Sequence, residues 1–159
     1  AFEPVKGRSR ALVVHTATDE ITLVDDTYNA NPDSVRAAID VLAELPAPRL
    51  LVLGDMAEVG HQGPEFHAEV GNYAAERGIE ALYCLGDLCA HSAKAFESAR
   101  HFEDMDSLLA SVTAQVGQFR SVVVKGSRTM KMERVVQALQ SQSIDESNKN
   151  NKKGESYAA

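Results

Sequence analysis

Three polar segments of this chain hold the residue types that could do chemistry. Asp25-Asp26-Thr27-Tyr28-Asn29-Ala30-Asn31-Pro32-Asp33-Ser34 packs adjacent carboxylates, a phenol and two carboxamides into a single turn. Gly54-Asp55-Met56-Ala57-Glu58-Val59-Gly60 places two carboxylates in a glycine-flanked loop, and Lys125-Gly126-Ser127-Arg128 sets two cations and a hydroxyl around a glycine. The first offers more donors and acceptors than an ordinary connection needs, although Asn and Asp also stabilise plain turns through local hydrogen bonds. In the second, Asp55 and Glu58 suggest magnesium, but carboxylates between glycines are more often turn formers. The third, with Ser127 as the expected N-cap of a helix, fits an anion, because unpaired N–H groups and the helix dipole both favour negative charge. Lys and Arg are also ordinary surface residues, so the convergence of the three segments carries more than any one.

Convergence depends on the elements that hold them. Ala11–His15 and Ile21–Val24 are apolar runs joined by five residues, which predicts an antiparallel hairpin. After Asp25 the pattern alternates. Val35, Ala38, Ile39 and Leu42 recur at helical spacing from about Ser34 to Leu45, with Asp33 or Ser34 available as the N-cap. Leu50–Leu53 is a continuous apolar run, as in a parallel strand covered on both faces. Phe66, Val70, Tyr73 and Ala74 mark the next helix, Ala81–Leu85 a strand, Cys89, Ala93 and Phe96 a short helix, and His101-Phe102 a short edge strand. Met105, Leu108, Leu109, Val112 and Val116 stripe another helix. Ser121–Lys125 is the last strand, followed by a helix with Met132, Val135, Val136 and Leu139 inward. This order predicts an α/β fold: a mixed, mainly parallel, doubly wound sheet with helices on both faces, opened by a β-hairpin. All three polar segments then follow strands and share the carboxyl-end rim, where open α/β sheets bind ligands. The folded domain is expected over residues 1–140. Residues 141–159, rich in Ser, Asn, Lys and Gln, are expected to form a disordered tail.

Composition narrows the function classes. The chain has 159 residues, is 44% apolar and carries a net charge of −7, which argues against a nucleic-acid surface. No apolar run approaches the ~20 residues of a membrane span. The start at Ala1 shows no signal peptide, and the missing Met suggests a piece of a longer, cytoplasmic protein. Cys84 and Cys89 make neither a metal-type pair nor a disulfide framework. His61 and His67 lie six apart, not at the i, i+4 spacing of a helical metal site, so a surface or packing role is expected for them. No G-x-x-x-x-G-K-[ST] phosphate loop and no nucleophile elbow occur.

Taken together, Gly7-Arg8, the Asp-Asp-Thr-Tyr-Asn-Ala-Asn-Pro-Asp-Ser segment, the Gly54–Gly60 loop and Lys125-Gly126-Ser127-Arg128 with Met132-Glu133 occur in an order that resembles the carboxy-terminal domain of the Mur ligases. The Tyr-Asn-Ala-Asn-Pro and Lys-Gly-Ser-Arg runs are similar to the members that add D-alanyl-D-alanine to UDP-N-acetylmuramoyl-tripeptide in peptidoglycan synthesis. The resemblance covers about residues 4–140. It implies a Rossmann-like domain that closes over an amino-terminal UDP-sugar-binding domain and a central P-loop ATPase domain, the latter holding most of the Mg2+ and phosphate chemistry. It implies ATP-driven amide formation through an acyl phosphate, and no catalysis by this domain alone. By the same resemblance, Arg8 would reach ATP, Asp26 would accept from its ribose hydroxyls, and Tyr28, Asn29 and Asn31 would line the nucleotide side. Lys125, Ser127 and Arg128 would hold the carboxylate of D-alanyl-D-alanine. Thr129-Met130-Lys131 is bulkier than the small residues expected after Lys-Gly-Ser-Arg.

Other functions compete with this reading. Related ligases that add D-glutamate, a diamino acid or γ-linked glutamate to folate share the architecture, but the Tyr-Asn-Ala-Asn-Pro run disfavours them. A stand-alone nucleotide-sensing or scaffold module would also lack a P-loop. A metal phosphoesterase would need His and Asp ligands converging on one rim, and His61 and His67 have no such partners.

Overall fold

β1 (Arg10–His15) lies antiparallel to β2 (Glu20–Asp26), with Leu12 opposite Leu23 and Val14 opposite Ile21. Glu20 already pairs with His15, so the connection is the four residues 16–19, one fewer than expected. It closes on Thr16, whose hydroxyl accepts from the Asp19 N–H at 3.0 Å and donates to the Asp19 carbonyl. This is the expected hairpin. A computed structural model of the chain describes residues 9–143, so Arg8 and most of the expected tail lie outside the described residues.

Beyond β2 the chain alternates through α1 (Pro32–Ala43), β3 (Arg49–Gly54), α2 (Gly63–Glu76), β4 (Ala81–Leu85), α3 (Cys89–Lys94), β5 (Arg100–Phe102), α4 (Met105–Gln115), β6 (Ser121–Lys125) and α5 (Glu133–Gln142). Among the described residues the sheet has six strands in the order β1-β2-β6-β3-β4-β5, parallel except for the β1–β2 pair. The mixed, mainly parallel sheet and its opening hairpin are therefore as the sequence predicts.

Period-two alternation distributes the strand residues between two cores. Leu51, Leu53 and Val123 face α1, α2 and α3, while Leu50, Val52, Val122 and Val124 face α4 and α5. Each of these side chains is at most 1% exposed, and each contributes about 1.5–3 kcal/mol of apolar burial. Coverage on both faces explains why the strands read as continuous apolar runs.

Two helix starts depart from expectation. α1 is capped by Asn31, not by Asp33 or Ser34. Its side chain accepts from the Ser34 N–H at 2.8 Å while the Ser34 hydroxyl accepts from the Asn31 N–H, with Pro32 in the first turn. This reciprocal capping box satisfies two otherwise unpaired donors. α5 does not begin at Ser127. A 3-10 turn over Arg128–Met130 and a left-handed Lys131 (φ 53°) intervene, and the helix starts at Glu133. At its other end α5 runs to Gln142, two residues past the expected boundary at 140, and Ser143 accepts from the His15 N–H at 2.8 Å.

Candidate functional site

The carboxyl ends of β2, β6 and β3 are neighbours in the sheet, so the three polar segments meet at one rim as the sequence requires. The chain leaves β2 and β3 toward the face covered by α1 and α2, but leaves β6 toward the face covered by α5. Connections that part to opposite faces open a crevice between strand ends, which is where α/β sheets take ligands.

Between β2 and β6 the crevice is tied by charge. Asp26 and Lys125 are register partners across the parallel ladder. Their ion pair measures 3.1 Å, with the lysine side chain 3% and the aspartate side chain 18% exposed. The same ammonium donates to the Asn29 carbonyl at 2.8 Å. A lysine this buried needs such partners, since an unpaired ammonium in a low-dielectric site is strongly unfavourable. Asp25, one residue earlier, points elsewhere: its carboxylate accepts from the Thr27 hydroxyl at 2.7 Å and pairs with Arg10 at 3.3 Å. An apolar groove lined by Val24, Val41, Ala37 and Val123 runs from Asp26 along α1.

Beyond Gly126 the cations separate. Ser127 is buried, its hydroxyl 3.2 Å from that of Thr129, and its N–H donates to the Asp55 carbonyl at 3.0 Å. Arg128 turns outward, its guanidinium 5.4 Å from the centre of the exposed Tyr28 ring. This cation–π contact joins the first and third polar segments at the mouth of the crevice. Among the expected site residues, the structure thus brings Asp26, Asn29 and Lys125 together in one cluster, and Tyr28 and Arg128 in another. The Asn31 side chain caps α1, and the Lys125 ammonium is engaged by Asp26 and Asn29.

The Gly54–Gly60 loop is held from beneath by groups that the sequence did not single out for that task. His67 is fully buried in α2. Its Nε2 accepts from the Met56 N–H at 3.0 Å, so its proton sits on Nδ1 and is donated to the Gly63 carbonyl at 2.7 Å. Burial lowers its pKa below the ordinary histidine value. Asp55 accepts from the Cys89 N–H at 2.8 Å and the Leu88 N–H at 3.3 Å, which caps α3. Cys89 donates to the Leu53 carbonyl, and burial raises its thiol pKa well above the usual range. Asp55, His67 and Cys89 offer ligand atoms within 4.8 Å of one another. Both His67 nitrogens and the Asp55 carboxylate are nevertheless occupied by this chain's own groups, so they form a satisfied polar core. They do not suit magnesium, which takes oxygen ligands in octahedral geometry.

Met132 closes the site from the α5 side. A Cβ on Gly54 would lie 2.8 Å from its Sδ, and one on Gly126 would lie 2.5 Å from its Cγ and 3.2 Å from the Gly54 Cα. Both glycines are required by this close approach. Of the bulky Thr129-Met130-Lys131 run, only Met130 reaches this space, its Cβ 3.3 Å from a Cβ on Gly54.

With this geometry in view, the similarity to known proteins is specific. Residues 9–128 match the family model "Mur ligase, glutamate ligase domain". The UDP-N-acetylmuramoyl-tripeptide–D-alanyl-D-alanine ligase of Escherichia coli (strain K12) is 41% identical over 120 residues, covering 74% of this chain and 26% of that protein. The ligase of the same name from Haemophilus influenzae is 42% identical over 141 residues, 85% of this chain and 30% of that protein. A crystal structure of MurF from Acinetobacter baumannii superposes with a TM-score of 0.78 at 26% identity, over 87% of this chain and 31% of that one. MurF from Thermotoga maritima in complex with ADP gives 0.72 at 25% identity, over 89% and 32% respectively. The chain spans between a quarter and a third of the length of these relatives. On the family match across most of its length, the chain belongs to the Mur ligases, as their glutamate ligase domain.

Proposed function

We propose that this chain acts as the carboxy-terminal domain of a ligase that joins D-alanyl-D-alanine to UDP-N-acetylmuramoyl-tripeptide in the cytoplasm, at the expense of ATP. One observation carries the reading. The Asp26–Asn31 and Gly126–Arg128 loops lie side by side at the β2/β6 crevice, in a family whose similar members bear that name. In the reaction so proposed, the tripeptide carboxylate takes the γ-phosphoryl group of ATP, because a free carboxylate is a poor electrophile. The dipeptide amine then attacks the acyl phosphate and phosphate leaves.

This chain's own residues bind and orient. The Asp26 carboxylate, held by Lys125 through Oδ1, is the proposed acceptor for the ATP ribose hydroxyls, with Arg8, Tyr28 and Asn29 on the nucleotide side. Asn31 supports that loop by capping α1. Arg128, whose planar fork suits a carboxylate, and Ser127 are assigned to the carboxylate of the incoming dipeptide. Charge neutralisation at the transferring phosphoryl group, by magnesium and a P-loop, belongs to another part of the proposed enzyme. Among the described residues, the Asp55–His67–Cys89 cluster does not fit a magnesium ion, and no P-loop occurs among the 159 residues.

Steady-state kinetics of the full-length enzyme test this assignment. Arg8→Ala is expected to lower activity strongly at limiting ATP with the fold intact. Asp26→Ala is expected to do so together with a loss of stability, since it removes the carboxylate that pairs the buried Lys125 ammonium. Arg128→Lys removes one charge-assisted pair, which is expected to raise the dipeptide KM about ten- to a hundredfold and the ATP KM far less. If the ATP KM rises and the dipeptide KM does not, the loop has been assigned to the wrong ligand.

A further inference from the structure

We propose that Lys125 is a positioning residue, a buried electrostatic strut that sets the Asp26–Asn31 loop for the nucleotide and does not itself touch either substrate. The proposal rests on the ligase reading above and adds a role for a group that the reaction scheme leaves idle.

The argument begins with alternation along β6. Val122 and Val124 face α4 and α5, so Val123 and Lys125 face α1. Lys125 thus occupies a core-facing position at the last residue of a central strand, and only 2% of it is exposed. Its ammonium has two partners, the Asp26 carboxylate at 3.1 Å and the Asn29 carbonyl at 2.8 Å. Those contacts grip the nucleotide-side loop at its first residue and at its middle. The loop is also fixed by the Thr27 hydroxyl on Asp25, by the Asn29 side chain, which accepts from the Ala30 N–H, by the Ala57 N–H on the Ala30 carbonyl, and by the capping box at Asn31, but none of these bonds reaches β6. Tyr28, between the two points gripped by Lys125, projects outward beneath Arg128. Removing the ammonium leaves Asp26 without the cation that orients it and frees the Asn29 carbonyl, so the segment from Thr27 to Asn29 loses its cross-tie to β6. Two of the three ammonium N–H groups are taken by these partners and the side chain is only 3% exposed, so a direct substrate contact would have to reach the third one beneath the loop.

The test combines hydrogen–deuterium exchange with kinetics on the full-length enzyme carrying Lys125→Met. The expected result is exchange over Thr27–Asn31 faster by about tenfold, with β3 unchanged, because one local tie is lost while the core persists. The ATP KM is expected to rise by about tenfold or more and the dipeptide KM by less than about threefold. A raised dipeptide KM with unchanged loop exchange would make Lys125 a substrate ligand and overturn the proposal. Unchanged exchange and unchanged ATP KM would also overturn it. Should Lys125→Met fail to fold, Asp26→Asn probes the strut from its exposed end: loop exchange must again accelerate, and no change refutes the strut. The exchange measurement needs no turnover. A wild-type enzyme unable to use D-alanyl-D-alanine would therefore refute the ligase reading, while the exchange data would still decide the strut.

Discussion

His67→Phe isolates what the buried imidazole contributes. Phenylalanine keeps a flat ring in the same space but leaves the Met56 N–H and the Gly63 carbonyl without partners. An unsatisfied buried group costs about 1–3 kcal/mol, so the two together predict a loss of about 2–6 kcal/mol at neutral pH. The dependence on pH has a definite sign. Because burial lowers the folded-state pKa of His67, below pH ~6.5 the unfolded chain binds a proton that the folded chain refuses. Its contribution is complete above that value and is lost as pH falls toward the folded-state pKa. For one such group, going from pH 7.5 to 5.5 removes at most about 1.4 kcal/mol. The variant lacks this term, so the stability gap between wild type and His67→Phe should narrow by up to that amount over the same interval. Urea unfolding of both proteins at the two pH values measures it, and the other histidines cancel in the difference. A gap that stays constant or widens would show that His67 is not held neutral by Met56.

Two further outcomes follow from the same rim. Gly126→Ala should cost about 1–3 kcal/mol through overpacking against Met132 and Gly54, read as a lowered melting temperature; Met132→Ala in the same chain should recover part of it, and additive losses would refute the close-approach argument. The isolated chain of 159 residues should bind ATP weakly or not at all and hydrolyse none, because phosphate stabilisation normally rests on a P-loop and magnesium; tight magnesium-dependent binding by calorimetry would instead support a stand-alone nucleotide module.

The sheet was legible because its signals are local. Leu50–Leu53 and Val122–Val124 are apolar on both faces, which marks central parallel strands before any pairing is known. The shared rim followed from strand direction alone. Helix starts were read less well, although a signal for one was present. Asn31-Pro32-Asp33-Ser34 places a good cap before proline and a hydroxyl at the third helical position, the pattern of a reciprocal box. The start of α5 was not readable, because Lys131 adopts a left-handed turn that nothing in Lys-Gly-Ser-Arg announces. His67 was readable as a packing residue, but its bond to Met56 depends on how α2 lies beneath the loop.

The cations of the third segment show where pattern reading can go further. Read as a motif, Lys125 and Arg128 are two positive charges on one loop, and both were assigned to one anion. Strand alternation alone separates them. If Val122 to Val124 are buried on both faces, the residue after Val124 still belongs to the ladder and faces the same core as Val123. A charge there must find a partner from a neighbouring strand end, since an unpaired buried ammonium is too costly to persist. In a parallel sheet the candidate partners are residues at the carboxyl ends of adjacent strands, and Asp26 is an acid in that position on β2. Gly126 then lets the chain turn away from the sheet, so Arg128 escapes the constraint and reaches Tyr28 outside. Two cations three residues apart therefore have opposite physical duties: Lys125 is spent on holding the crevice, and Arg128 is the charge this loop presents outward.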